Sequence, residues 1–162
     1  MHYTFPCILK PEDEGGFSVL FPDLPEALTC GDDRESALEM AEDALIVALS
    51  GLIADRNHIP VPSAALPGQD SIPVPPLLAA KLALYNAIRI QGITQVALAS
   101  RMGVSESVVR KLLDPAHRSH IDSVVSALRL LGRNLLVSDR AIVSIPTIPP
   151  PFAIDPSRRP GA

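Results

Sequence analysis

Ile93 to Leu113 reads ITQVALASRMGVSESVVRKLL, and this stretch decides how the rest of the chain divides. Thr94 is placed to cap a first helix, because its hydroxyl can accept a hydrogen bond from a free N–H of the first turn. That helix runs from Gln95 to about Arg101, with Val96, Leu98, Ala99 and Met102 as apolar contacts. Ala99 is small where two helix backbones would cross. Gly103 stands at the break, where a left-handed residue costs glycine nothing. Val104 plugs the core from the turn. Ser105 then caps a second helix, whose apolar positions Val108, Val109 and Leu112 recur at helical spacing. Glu106, Ser107, Arg110 and Lys111 take its other face. The pattern is a helix-turn-helix, whose second helix is expected to enter a DNA major groove N-terminus first.

Length and composition bound the surroundings. A chain of 162 residues suits one domain or two small ones. With 47 % hydrophobic and 20 % charged residues it can build a packed core. No apolar run reaches the roughly 18 residues that span a bilayer. The start, MHYTFPC, lacks the basic region and apolar core of an export signal. Cys7 and Cys30 fit a reducing cytosol, so a cytoplasmic protein is expected. Proline is frequent, 17 of 162 residues, against a usual ~5 %. The prolines cluster at 60–76 and 146–160, marking a linker and a tail.

The net charge of −4 hides a split. Residues 1–76 balance to −10, with Lys10, Arg34 and Arg56 against thirteen acids. Residues 77–140 balance to +5 and residues 141–162 to +1. Either the halves meet different partners or they are two solvated surfaces of opposite sign. The split coincides with the boundary drawn from the pattern of elements, which favours two partners.

Tyr3 to Leu9 alternates, with Tyr3, Phe5, Cys7 and Leu9 on one face, and reads as a strand. Pro6 removes a ladder donor there, so an edge or a bulge is expected. Glu12 to Gly16 is a hairpin turn; Phe17, Val19 and Phe21 alternate in a second strand, and Ala27 to Gly31 is a short third. A helix follows to about Asp55. Asp33 can cap it, although Asp32 with Glu35 three residues on makes the better capping box. The helix is expected to bury Ala37, Leu38, Ala41, Ala44, Leu45, Ala48 and Leu52, with Glu35, Glu39, Glu42 and Asp43 outside. Ile59 to Pro62 is extended, and Ser71 to Val74 is a possible last strand. The order is βββαβ.

The second unit starts near Pro76. Leu78, Lys81, Leu82, Tyr85, Ala87 and Ile88 set the pattern of a helix over 77–90, which Gly92 ends. The helix-turn-helix and the loop 114–120 come next. Ile121 to Leu131 is a further helix, capped by Ser119 or Asp122, with Val124, Val125, Leu128 and Leu131 inward. Leu135–Val137 and Ala141–Ile145 are possible short strands, and the chain after Pro146 is extended or disordered. The domain reading is 1–62, a linker with a possible strand at 63–76, a helical domain at 77–140 and a Pro-rich tail at 141–162.

Three stretches carry a family resemblance: GGFSVLFPDLPEALTCGDDRESALEMAEDAL, VPPLLAAKLALYNAIRIQGITQVALASRMGVSESVVRKLLD and HIDSVVSALRLLGRNLLVS. In this order they resemble a HicB-type antitoxin that carries a Cro-repressor-like helix-turn-helix, over most of residues 1–140. The FPDLP loop and the Gly-Asp-Asp helix start are fairly specific, whereas the helix-turn-helix alone is shared by many regulators. Ser36 departs from the glutamate common in the family, which weakens the local cap. The resemblance implies an α+β fold class: an N-terminal βββαβ, reduced ribonuclease-H-like domain followed by an all-α, lambda-repressor-like domain. It also implies two partners, a small basic mRNA-cleaving toxin of the HicA type and the operator DNA of its own operon. Homodimers or dimers of dimers are implied as well.

For DNA the expected residues are Gln95, Ser105, Glu106, Ser107, Arg110, Lys111 and Arg118, with Arg110 best placed for a bidentate contact to guanine. Gln95 and Arg118 would meet phosphates. The plainer alternative is that Glu106 and Arg110, four apart, pair on a solvated face. For the toxin, Asp23, Glu26, Asp32 and Asp33 lie near the FPDLP loop. Each of these acids serves equally well as a solubilising charge.

Enzyme readings fare badly. His117 and His120 lack the further ligands of a metal site. Ser119, His120 and Asp122 crowd one short loop and cannot form a triad unaided. Asp13, Asp23 and Asp32 have no second ligand set for nuclease metals, and no phosphate-binding Gly loop is present. Neither catalytic residues, metal nor cofactor are expected. A free-standing repressor, whose N-terminal unit senses a small ligand in place of a toxin, is the alternative function.

Overall fold

The alternation at the N-terminus builds β1 (Thr4–Pro11), with Phe5 and Cys7 fully buried. The structure, a computed structural model, describes residues 2–139. After β1 come β2 (Phe17–Leu20) and β3 (Leu28–Gly31), and β4 (Asp70–Pro73) completes an antiparallel sheet in the order β3-β2-β1-β4. β1 is divided along its length: Thr4–Cys7 pair with β4, and Ile8–Pro11 pair with β2. Pro6 falls in a half with a ladder on one side only, which is how an inner strand accepts a residue without an N–H. The strand in segment 63–76 is therefore an integral part of the sheet.

α1 (Arg34–Ala54) lies across β3 and β2. Its cap corrects the sequence reading twice. Asp33 has the extended backbone of a cap, and its Oδ1 accepts from the Ser36 N–H at 2.8 Å. Ser36 Oγ accepts in return from the Asp33 N–H at 3.1 Å. Asp33 and Ser36 thus form the capping box, not Asp32 and Glu35, and Ser36 supports the cap that its departure from the family pattern led us to expect weakened. The bond from the Ser36 backbone, joined by its side chain, holds the Asp33 carboxyl below the ordinary aspartate range. Just upstream, a Cβ on Gly31 would come within 2.4 Å of the Ala37 nitrogen, so β3 can meet α1 only through glycine. Arg34 reaches back to pair with Asp70 of β4 at 2.5 Å.

The buried stripe of α1 is Ala37, Ala41, Leu45, Leu49 and Ile53. It is rotated from the expected one: Leu49 and Ile53 go in, while Leu38, Ala44, Ala48 and Leu52 stay half-buried.

α2 (Pro76–Gln91) opens with proline in its first turn, where no N–H is needed. The six positions that set its pattern are all buried. Tyr85 Oη donates to the Asn57 carbonyl at 2.7 Å and Arg89 donates to the Arg56 carbonyl at 2.6 Å, so α2 grips the C-terminal end of α1. α3 (Gln95–Met102), α4 (Glu106–Leu113) and α5 (Ile121–Leu130) complete the helical unit, with α5 against α2 and α3.

Several expectations here are corrected. Val96 (61 % exposed), Val104 and Val108 face solvent, because α3 and α4 are short and each presents only one narrow stripe to the core. His120, not Ser119 or Asp122, occupies the cap of α5 and makes no side-chain cap bond. Val124, Ala127, Leu128 and Leu131 are buried there, with Val125 half-buried. Leu135–Val137 forms no strand, and Leu136 and Val137 are exposed. The possible strand at 141–145 and the tail reading fall outside the described residues. Among the described residues no helix is long and apolar enough to cross a membrane.

The cap gives a test. Asp33→Ala should lower the urea midpoint at neutral pH, and Asp32→Ala should leave it unchanged. A carboxyl held low in the folded state stabilises above its unfolded pKa and loses that contribution as pH falls through the folded one. The Asp33→Ala penalty should therefore shrink in acid. Urea titrations of both variants at neutral and acidic pH check this.

Candidate functional site

α3 starts as its sequence dictates, with Thr94 Oγ1 accepting from the Ala97 N–H at 3.1 Å. It stops at Gly103, whose φ of 68° is the left-handed turn that frees the chain for α4. Leu98 and Ala99 of α3 and Val109, Leu112 and Leu113 of α4 are buried, which fixes the pair against α2 and α5. Ser105 takes the cap position of α4 with extended backbone but makes no side-chain cap bond. In the first turn of α4 the Val108 N–H donates to the Ser105 carbonyl at 3.0 Å, while the Glu106 and Ser107 amides, which have no intrahelical acceptor, meet no side-chain cap.

Of the DNA-contact candidates, Ser105, Glu106, Ser107, Arg110, Lys111 and Arg118 are exposed and Gln95 is half-buried. The first five sit together at the start and along the outer side of α4. Arg118 lies in the following loop and Gln95 at the start of α3. Arg34–Asp70 is the only ion pair within 4.0 Å among the described residues. Glu106 therefore does not hold Arg110, and the guanidinium is uncommitted.

A lysine inside the core secures this surface. Lys81 of α2 is 0 % exposed. Its Nζ donates to the carbonyls of Asp114 and His117, each at 2.5 Å, and to that of Lys111 at 3.5 Å. The last carbonyls of α4 have no helical partner, and a cation there also meets the negative end of the helix dipole. Burial pushes the Lys81 ammonium below its ordinary range, and the Asp114 carboxylate pulls it partly back. Ser119 Oγ donates to the same Lys111 carbonyl at 3.1 Å, so the loop after α4 is bound at both ends. Lys81 has a legible signal, a charge at an apolar phase of the pattern, yet its carbonyl partners are brought together only by the fold.

The acidic candidates separate into different uses. Asp23 accepts from the Ser63 N–H at 2.8 Å and from its hydroxyl at 3.0 Å, which pins the chain after α1. Asp33 is the cap of α1. Asp32 is exposed beside the hairpin acids Glu12, Asp13 and Glu14. Asp32 thereby lines an open hollow of about 490 Å³, and Glu26 stands at a different concave surface, an open groove of about 570 Å³ between β3 and the outer side of α1. Leu28, Met40 and Val47 line that groove over a floor of Ala44, Ala48 and Gly51, with Asp43 and Asp55 also along it. The sequence turns Ala44 and Ala48 inward and so hides this feature.

Among the described residues no group of three or more His, Cys, Asp or Glu side chains could hold a metal ion. The ring that meets Ser119 is His117, at 3.1 Å, rather than His120.

An N-terminal antiparallel sheet crossed by one helix and followed by helices α2 to α5 defines a mixed α+β class of protein, and comparison with known proteins makes it specific. Residues 4–83 match the family described as HicB_like antitoxin of bacterial toxin-antitoxin system. Antitoxin HicB 1 of Photorhabdus laumondii is 44 % identical over 134 residues, covering 83 % of this chain and 85 % of that protein. Antitoxin HicB of Escherichia coli K12 is 39 % identical over 131 residues, covering 81 % and 95 %. The chain belongs to the HicB-like antitoxin family, and as an antitoxin it is not an enzyme.

Lys81→Met keeps the aliphatic length but leaves three carbonyls without their shared donor. Loss of a buried partner costs roughly 1–3 kcal/mol. The variant should unfold at lower urea, and its amide exchange should quicken first in α4 and the loop 114–120. Exchange that is unchanged there, measured by mass spectrometry, would contradict the anchoring role.

Proposed function

We propose that this antitoxin has two faces. The acidic sheet-and-helix unit binds and blocks a basic, HicA-like mRNA-cleaving toxin, and α3 and α4 act as a helix-turn-helix that represses the operon from its operator. The observation that carries the second half is the outer side of α4, with Arg110 and Lys111 exposed and Arg110 in no ion pair among the described residues, on a firmly anchored helix. Exposed cations gain affinity by displacing counterions from phosphate, and a guanidinium can read guanine bidentately. Uncapped first-turn amides suit a phosphate oxygen. For the first half, the names of the relatives imply a toxin partner, and a balance of −10 over residues 1–76 suits a basic one.

An operator complex calls for two recognition helices about one DNA turn, ~34 Å, apart, which a homodimer or a dimer of dimers supplies. The domains then divide near Pro76, with residues 1–62 and β4 on the toxin side and 77–140 on the DNA side. The relatives align over more residues than lie outside the helical unit, so the likeness reaches into it.

Arg110→Ala removes a contact worth roughly 1–3 kcal/mol per half-site. Specific operator affinity should fall by about five- to 150-fold per half-site lost, while rescue of cells from the co-expressed toxin persists. Gel-shift titration and a growth assay read the two outcomes; undiminished operator affinity would refute the placement of α4.

A further inference from the structure

The groove between β3 and α1 has the character of a docking surface. Leu28 is 63 % exposed and Val47 71 % exposed, and with Met40 they form an apolar rim around small residues. β3 is the end strand of the sheet, bonded to β2 on one side, so its other edge is an open ladder beside the groove. An open edge next to apolar pockets is the arrangement to which an extended segment of a partner adds as a further strand. Charge selects the partner. Glu26, Asp43 and Asp55 line the groove, and no lysine or arginine does. A second copy would bring its own acidic unit against this face and be repelled, whereas a basic partner would be attracted.

We infer that the toxin docks here, adding a basic, apolar-studded extended segment to the β3 edge with its side chains seated against Met40, Val47 and Gly51. This rests on the antitoxin reading above and names the surface that reading leaves open. It also moves the contact away from Asp23, Asp32 and Asp33, retaining only Glu26 of the four acids expected from the sequence.

Gly51 supplies a clean test. A Cβ there would meet nothing within 4 Å, and glycine inside a helix is unfavourable relative to leucine. Gly51→Leu should fold at least as stably as the natural chain while filling the groove. Val47→Arg adds like charge to a basic partner, and Glu14→Arg makes a larger charge change away from the groove. The probe is a purified HicA-like toxin, titrated calorimetrically against each full-length variant. Gly51→Leu and Val47→Arg should each weaken binding by about thirtyfold or more, as loss of an anchor does. Glu14→Arg should change it less than about threefold. On binding, the β3 amides not used by β2 should gain exchange protection. Groove variants that bind like the natural chain, or an equal loss in Glu14→Arg, overturn the groove and leave the antitoxin reading standing. A natural chain that does not bind the probe overturns that reading, and the inference with it.

Discussion

The helical unit depends on one buried ammonium. A lysine taken wholly out of water is tolerated only when its donors are met, and Lys81 meets three carbonyls where α4 runs into the loop 114–117. The Lys111 carbonyl is one that a helix end leaves without a helical partner, and those of Asp114 and His117 belong to the cap and the loop that follow. A single side chain thus settles two unfavourable groups, and it fixes where α4 stops relative to α2. Val109, Leu112 and Leu113 hold the helix down by apolar contact, which is non-directional. The lysine contributes direction. A surface that is to present Arg110 and Lys111 in a defined place needs that, because hydrogen-bonded recognition tolerates little displacement.

The acidic unit uses its charges differently. Of the acids expected to form a site, Asp33 begins α1 and Asp23 pins Ser63. Arg34, one of three cations in residues 1–76, is spent on Asp70. What remains lies along the hairpin, along the groove and, at Glu35, Glu39 and Glu42, on the exposed side of α1. The acidic balance is therefore partly structural and partly presented. The two units share a continuous apolar core and the bonds from Tyr85 and Arg89 to the end of α1, yet their exposed faces have no residue in common.

Much of this was legible from residue order. Strand alternation, the break at Gly103, the Thr94 cap and the buried positions of α2 follow from local chemistry, and the fold repeats them. Failures fall where a residue answers to distant neighbours. Ala44 and Ala48 fit an apolar stripe, but β3 is the end strand, and among the described residues nothing covers them on its far side. Val96 and Val108 fit too, on helices too short to bury both flanks. Asp32 with Glu35 is the commoner capping pair; the close approach of Gly31 to Ala37 puts the turn one residue later, at Asp33. The acids near the FPDLP loop could not be sorted by sequence, since whether a carboxylate caps, pins or lines a groove depends on what the chain brings beside it.

Two independent binding faces on one chain, as proposed above, would let a toxin and an operator duplex bind together. Native mass spectrometry of the full chain mixed with a HicA-like toxin and an operator duplex tests this directly. A single assembly containing all three components is the expected result. Mutually exclusive complexes, with the toxin displacing the duplex from the same surface, would contradict it.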